Sequence, residues 1–161
     1  MKKIALTLAA ALIAWALGYW IYLLCASDST RIRWLIEKME RGFNASSARA
    51  TVSGLADGFV EETSGVEREE IHKFLLYLFF HERDPQTKEF KYRVELDPPE
   101  IDISAERKAA TVKLAARFLE RRGGTWQATW EVGIDADLKK GNEGWRIVQS
   151  RHRTERGRRP F

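Results

Sequence analysis

The hydrophobic period of the chain changes from helical to extended close to residue 90, and that switch restricts the fold more than any other feature. Before it, apolar residues recur at three and four: Ile32, Leu35, Ile36, Met39 and Phe43 in one segment, and Ile71, Phe74, Leu75, Leu78 and Phe79 in another. A helix gathers such residues onto one face. After it they alternate, as in Phe90, Tyr92, Val94 and Leu96, in Ala110 through Phe118, and in Trp126 through Ala136. Alternation is the signature of a half-buried strand. Pro98-Pro99, Gly123-Gly124 and the polar stretch 139–144 mark turns, Ile101 and Ile103 a short strand, and Trp145 to Val148 the opening of the last one. Helices first and an antiparallel meander after argue an α+β domain with the helices on one face of the sheet. The long strands are expected to bend so that the sheet covers three helices.

The helix boundaries have local causes. Ser27-Asp28-Ser29-Thr30 is rich in capping residues ahead of the first helix. A short helix is expected over 46–56, although Gly54 lies inside it, and Phe59 to Thr63 reads as a short extended piece. The long helix expected over 67–82 opens with Glu67, Glu69 and Glu70, which suit the positive helix end, and Asp84-Pro85 stops it.

Ahead of this domain, Ile4 to Ala26 holds no charged residue. As a helix such a run of about 23 residues spans roughly 34 Å, enough for a bilayer core. Lys2 and Lys3 precede it, and Trp15, Tyr19, Trp20 and Tyr22 cluster toward its far end, where amphipathic rings favour headgroups. The expectation is one transmembrane signal anchor over 1–27, a soluble domain over 28–154 and a basic tail over 155–161. Placement at a bacterial inner membrane with the domain on the periplasmic side follows from the basic leader. A cleaved segment would instead give a secreted domain. The net charge of +4 carries no nucleic-acid signal: two leader lysines, and five arginines against one glutamate after residue 150, exceed it, so the body between is weakly acidic. The body also lacks cysteine, a phosphate-binding glycine loop and any metal-ligand spacing, and His72, His81 and His152 lie apart; neither a cofactor nor a metal is expected.

Several phrases carry a resemblance. Phe43-Asn44-Ala45 followed by Leu55-Ala56-Asp57-Gly58-Phe59-Val60, then Gly65 with Glu70-Ile71, then Gly144-Trp145-Arg146-Ile147-Val148, stand in the order and spacing of the nuclear transport factor 2-like (SnoaL-like) superfamily. The resemblance covers roughly 29–154 and implies a cone: three helices on a curved, mostly antiparallel sheet, with a cavity at the open end. The superfamily includes isomerases, dehydratases, cyclases, small-molecule binders and assembly modules, so the fold does not name the function.

The resemblance also orders the candidates. Its isomerases carry a carboxylate base on the short strand, and the nearest match is Glu62, one residue short in spacing from Asp57. They use a tyrosine on the first helix, where this chain has Met39, and histidines on the last strand, where Gln149 and Arg151 are expected. Gln149 and Arg151 remain candidate polar contacts, Arg151 for an acidic ligand. Tyr77 is expected beside the core stripe with its hydroxyl toward the cavity. Trp126, Trp130 and Trp145 are expected to face inward, with Trp130 a candidate cavity wall. Two functions follow. The leading one is a membrane-tethered, non-catalytic module that binds an apolar or acidic small ligand, or docks a partner or a second copy. The alternative is an isomerase-, dehydratase- or cyclase-type enzyme using the cavity.

Overall fold

The computed structural model describes residues 26–161. The membrane segment expected at 4–26 therefore lies, save for Ala26, outside the described residues; among those described, no helix is long and apolar enough to cross a membrane.

Helix α1 spans Asp28–Asn44, and the Ser27 hydroxyl accepts the Thr30 amide at 3.2 Å as its cap. It buries Ile32, Ile36 and Phe43. Helix α2 is one turn, Ala48–Thr51, continued by a 3-10 turn over Val52–Gly54. The helix expected to run to residue 56 stops early because strand β1 (Leu55–Glu61) begins there and pairs in parallel with the last strand. Gly54 marks a close approach: a Cβ there would lie 2.3 Å from the Met39 sulfur of α1. A two-residue strand β2 (Val66–Glu67) leads into α3, Arg68–His81, whose start is held by a Glu67/Glu70 capping box. Leu75, Leu78 and Phe79 of α3 are buried, while Ile71 and Phe74 pack partly exposed at the core's edge.

The other strands are β3 (Tyr92–Leu96), β4 (Glu100–Ile103), β5 (Ala109–Arg122), β6 (Thr125–Gly141) and β7 (Gly144–Gly157). They form a seven-stranded sheet in the order β2-β1-β7-β6-β5-β3, with β4 also on β5. Strands β3 and β4 lie end to end along β5, Leu96 opposite Ala116 and Glu100 opposite Lys113, with Pro98-Pro99 in the gap. Every pairing is antiparallel except β1 with β7, so the sheet is mixed. Asn44 acts as an extra rung where α1 ends: its side chain accepts from Val94 N at 2.8 Å and donates to Val94 O at 2.9 Å. The helices cover one face of the sheet. Ile32, Leu78, Val112 and Leu138 are the largest fully buried side chains there, each worth about 1.5–3 kcal/mol of burial.

Bulges decide which side chains reach the covered face. Opposite residues of an antiparallel pair share a face, so the register shows where the alternation slips. Phe118 pairs with Trp130 but Leu119 with Ala128, leaving Thr129 unmatched. Trp126 consequently shares the outer face with its partner Arg121 and is 41% exposed, contrary to the inward position expected for it, whereas Trp130 and Trp145 are buried as expected. Between β6 and β7, Leu138 pairs with Ile147 but Asp137 with Gln149, leaving Val148 unmatched. Ile147 is the last inward residue before this bulge, and Ser150, His152 and Thr154 are the inward ones after it.

The residues expected to form a basic tail are ordered. Strand β7 runs on to Gly157, past the expected domain end at 154, and residues 158–161 fold back so that Phe161 packs against the core.

Candidate ligand cavity

Between the helices and the concave face of the sheet lies a cavity of about 720 Å³, adjoined by a deeper compartment of about 260 Å³. The two share Met39, Thr51, Glu61, Ile71, Leu96 and Ile134. The deeper compartment is walled almost wholly by aliphatic and aromatic side chains, with Thr51, Glu61 and Ser150 its polar members. Phe74, Phe118, Trp130, His152 and Phe161 line the outer one. A mostly apolar wall with a few convergent polar groups is the usual make-up of a small-molecule site.

Glu61 is the polar centre. It ends β1 on the covered face, pairs with Ser150 and is 9% exposed. The turn after β1 wraps its carboxylate: Oε2 accepts from the Ser64 hydroxyl at 2.6 Å and the Ser64 amide at 2.8 Å, and Oε1 from the Thr63 amide at 3.2 Å. His152 Nδ1 lies 3.0 Å from Oε1. Burial pushes the Glu61 carboxyl up, but the hydrogen bonds from Ser64, His152 and Thr63 together outweigh it and hold the group at about 2, below its ordinary 4.5. Glu61 is therefore ionised at any physiological pH and only accepts hydrogen bonds.

That fixes His152. Facing a carboxylate, Nδ1 must carry the proton, so the neutral imidazole keeps its lone pair on Nε2. No described residue hydrogen-bonds Nε2. The ring also meets Trp130 edge to face at 6.1 Å, and Trp130 Nε1 donates to the Thr154 hydroxyl at 3.0 Å. The arrangement is an anchored anion, an oriented imidazole and an apolar wall.

The residues expected to form the site are distributed otherwise. Trp130 lines the cavity. Glu62 follows Glu61 and so points to the opposite face, where it pairs with Arg151 at 3.3 Å in solvent. Gln149 sits beside the Val148 bulge on the outer face and donates to Asp137 at 2.8 Å. Tyr77 is 59% exposed and stacks on His81 at 4.1 Å, because it lies on the side of α3 away from Leu75, Leu78 and Phe79. Met39, where the resemblance places a tyrosine, lines the cavity. Glu61 and His152 were one residue from the expected positions. Counting by two from Phe59 already selects Glu61 over Glu62. No glycine or proline announces the bulge at Val148, so His152 had no comparable signal.

No family model matches the sequence, and no curated protein matches it. Solved structures do. A nuclear transport factor 2-like protein with a cystatin-like fold from Novosphingobium aromaticivorans superposes with a TM-score of 0.65 at 16% identity, over 88% of this chain and 90% of that one. A nuclear transport factor 2-like superfamily protein from Salmonella enterica serovar Typhimurium gives 0.57 at 18% identity, over 83% and 94%. A second Novosphingobium aromaticivorans protein, provisionally assigned as an aromatic ring hydroxylase, gives 0.61 at 10% identity, over 80% and 90%. The domain thus has the nuclear transport factor 2-like, or cystatin-like, fold. At these identities the likeness extends to the fold alone.

Proposed function

We propose that the cavity binds a small, mostly apolar molecule with one hydrogen-bonding group, held by His152 Nε2. The observation that carries this reading is the buried Glu61 carboxylate paired with a half-buried His152 against apolar walls. A domain whose role was only to dock partners has no use for an oriented imidazole inside a cavity. Native mass spectrometry of the purified chain is expected to show a noncovalently bound small molecule that is absent from His152→Leu. Retention of the same mass by that variant would remove His152 from the reading.

The same pair favours a second reading, proton transfer with His152 as the base and Glu61 as its positioning residue. Binding ranks first because Met39 offers no hydrogen-bond donor to an oxyanion, and that electrostatic contribution is usually the largest in such chemistry.

The uncharged run at 4–26 supports tethering of this domain to a membrane, on the periplasmic side of a bacterial inner membrane. External protease added to spheroplasts is then expected to remove the domain; protection until the membrane is lysed would overturn that placement.

A further inference from the structure

The mouth of the cavity holds an aromatic ring supplied by the chain itself. Phe161 sits among four rings, at centroid distances of 5.4 Å from Tyr92, 5.8 Å from Phe118, 5.9 Å from Phe74 and 6.4 Å from Trp130. These are the separations at which aromatic pairs attract, and three of the four are edge-to-face. The Arg159 guanidinium lies 5.1 Å from the Phe74 centroid and 5.3 Å from that of Phe161, flanking the two rings.

The segment that delivers this ring is lightly fastened. Arg158 N donates to Thr129 O at 3.1 Å, and the Tyr92 hydroxyl donates to Pro160 O at 3.2 Å. The return itself depends on Gly157, with φ of +75° and so close to β6 that a Cβ would lie 2.1 Å from the Thr129 carbonyl oxygen. Both anchors on the sheet side come from features already at the mouth: the unmatched Thr129 and the partly satisfied Tyr92 hydroxyl. Phe161 is only half-buried, unlike the core rings Phe43 and Phe79. Two hydrogen bonds, the Arg159 contact with Phe74 and one half-buried ring make a closure that opens without disturbing the sheet.

We propose that this four-ring cage is the subsite for an aromatic ring of the ligand, and that Phe161 occupies it until such a ligand displaces it. The inference rests on the binding reading of the cavity and adds the ligand's chemical class: a compound with one or two fused aromatic rings, its polar group directed toward His152. An aliphatic compound of equal size fills the same volume but forgoes the edge-to-face contacts.

The test uses prodan, a neutral naphthalene dye whose emission shifts to the blue in apolar surroundings, titrated into the full chain. Phe161→Ala removes the competing ring, and Gly157→Ala unfastens the segment at its turn while leaving all four cage side chains in the sequence; each is expected to tighten binding at least about 10-fold, since a competitor lowers apparent affinity by the fraction of sites it leaves open. 2-Naphthol is expected to displace the dye at roughly a tenth of the concentration that decahydro-2-naphthol needs, in line with aromatic pair energies. Ile134→Phe, which narrows both compartments, reports on the underlying reading. If it weakens the dye while Phe161→Ala and Gly157→Ala both bind as the parent chain does, the cavity binds ligand but Phe161 does not guard it. Equal potency of the two naphthol analogues would overturn the aromatic assignment. Dye binding that is absent, or indifferent to Ile134→Phe, would remove the cavity reading and this inference with it. Either Phe161→Ala or Gly157→Ala suffices if the other fails to fold, as a melting curve shows.

Discussion

Asp28→Ala is expected to destabilise the domain by about 3 kcal/mol, which for a domain of this size lowers Tm by roughly 10 °C. Asp28 opens α1 and is 3% exposed. Its Oδ1 accepts from Lys140 Nζ at 2.7 Å and Trp145 Nε1 at 3.1 Å, and its Oδ2 from Arg107 Nε at 2.9 Å. One carboxylate thus pins the first helical residue to β6, to β7 and to the turn before β5. Removing it leaves the buried Trp145 N–H without an acceptor and strips a favourable negative charge from the helix N-terminus. The hydrogen bond from Lys140, opposed by burial and helped by Trp145 and Arg107, holds the Asp28 carboxyl at about 2 instead of 3.8. Its contribution is therefore complete above pH 3.8 and fades as pH falls toward 2. Lys140→Met and Trp145→Phe should each cost less than Asp28→Ala, because Asp28 then keeps its remaining partners. Thermal melts of the three variants check this; an Asp28→Ala melt within about 2 °C of the parent, well under the shift set by the size scaling, would show that α1 is not fastened there.

How much of this was legible beforehand follows from what each contact depends on. The α3 stripe and the alternation in β5 and β6 are local patterns, and burial follows them closely: Leu75, Leu78 and Phe79, then Val112, Ala116 and Val132. The end of α2 was not legible, because the demand of β1 for a partner in β7 cuts it short at Gly54, and that partner lies some ninety residues on. The site was legible only up to its bulges. The resemblance places the last strand's polar contacts at Gln149 and Arg151; the unmatched Val148 passes the inward role to Ser150 and His152. In the sequence Asp28 is one of four capping-type residues, yet its partners at 107, 140 and 145 make it the centre of a tertiary network. Phe161 falls within the stretch read as a basic tail, but the cage that receives it is assembled from α3, β3, β5 and β6.

Glu61→Gln should separate the electrostatic role of the carboxylate from its shape. The glutamine amide keeps the volume and one acceptor oxygen, but it replaces the second acceptor by a donor facing either the Ser64 hydroxyl and amide or His152 Nδ1. The parent Glu61 is held at about 2 against an ordinary 4.5, so the unfolded chain binds the extra proton between those values. Stability from this group is accordingly full above pH 4.5, about 3 kcal/mol by that difference, and is lost as pH falls toward 2. The gap in urea stability between parent and variant is expected to be largest at pH 6 and to shrink by about half at pH 3. A gap independent of pH over that range would mean that Glu61 acts by packing and not by its charge. The variant has a second consequence at the cavity. Without the carboxylate, Nδ1 and Nε2 become alternative sites for the neutral proton, so the fraction of His152 with a free Nε2 drops and the ring loses its fixed orientation. Imidazole nitrogen NMR shifts read that tautomer directly, and ligand affinity should fall with it, even under conditions where Glu61→Gln remains fully folded.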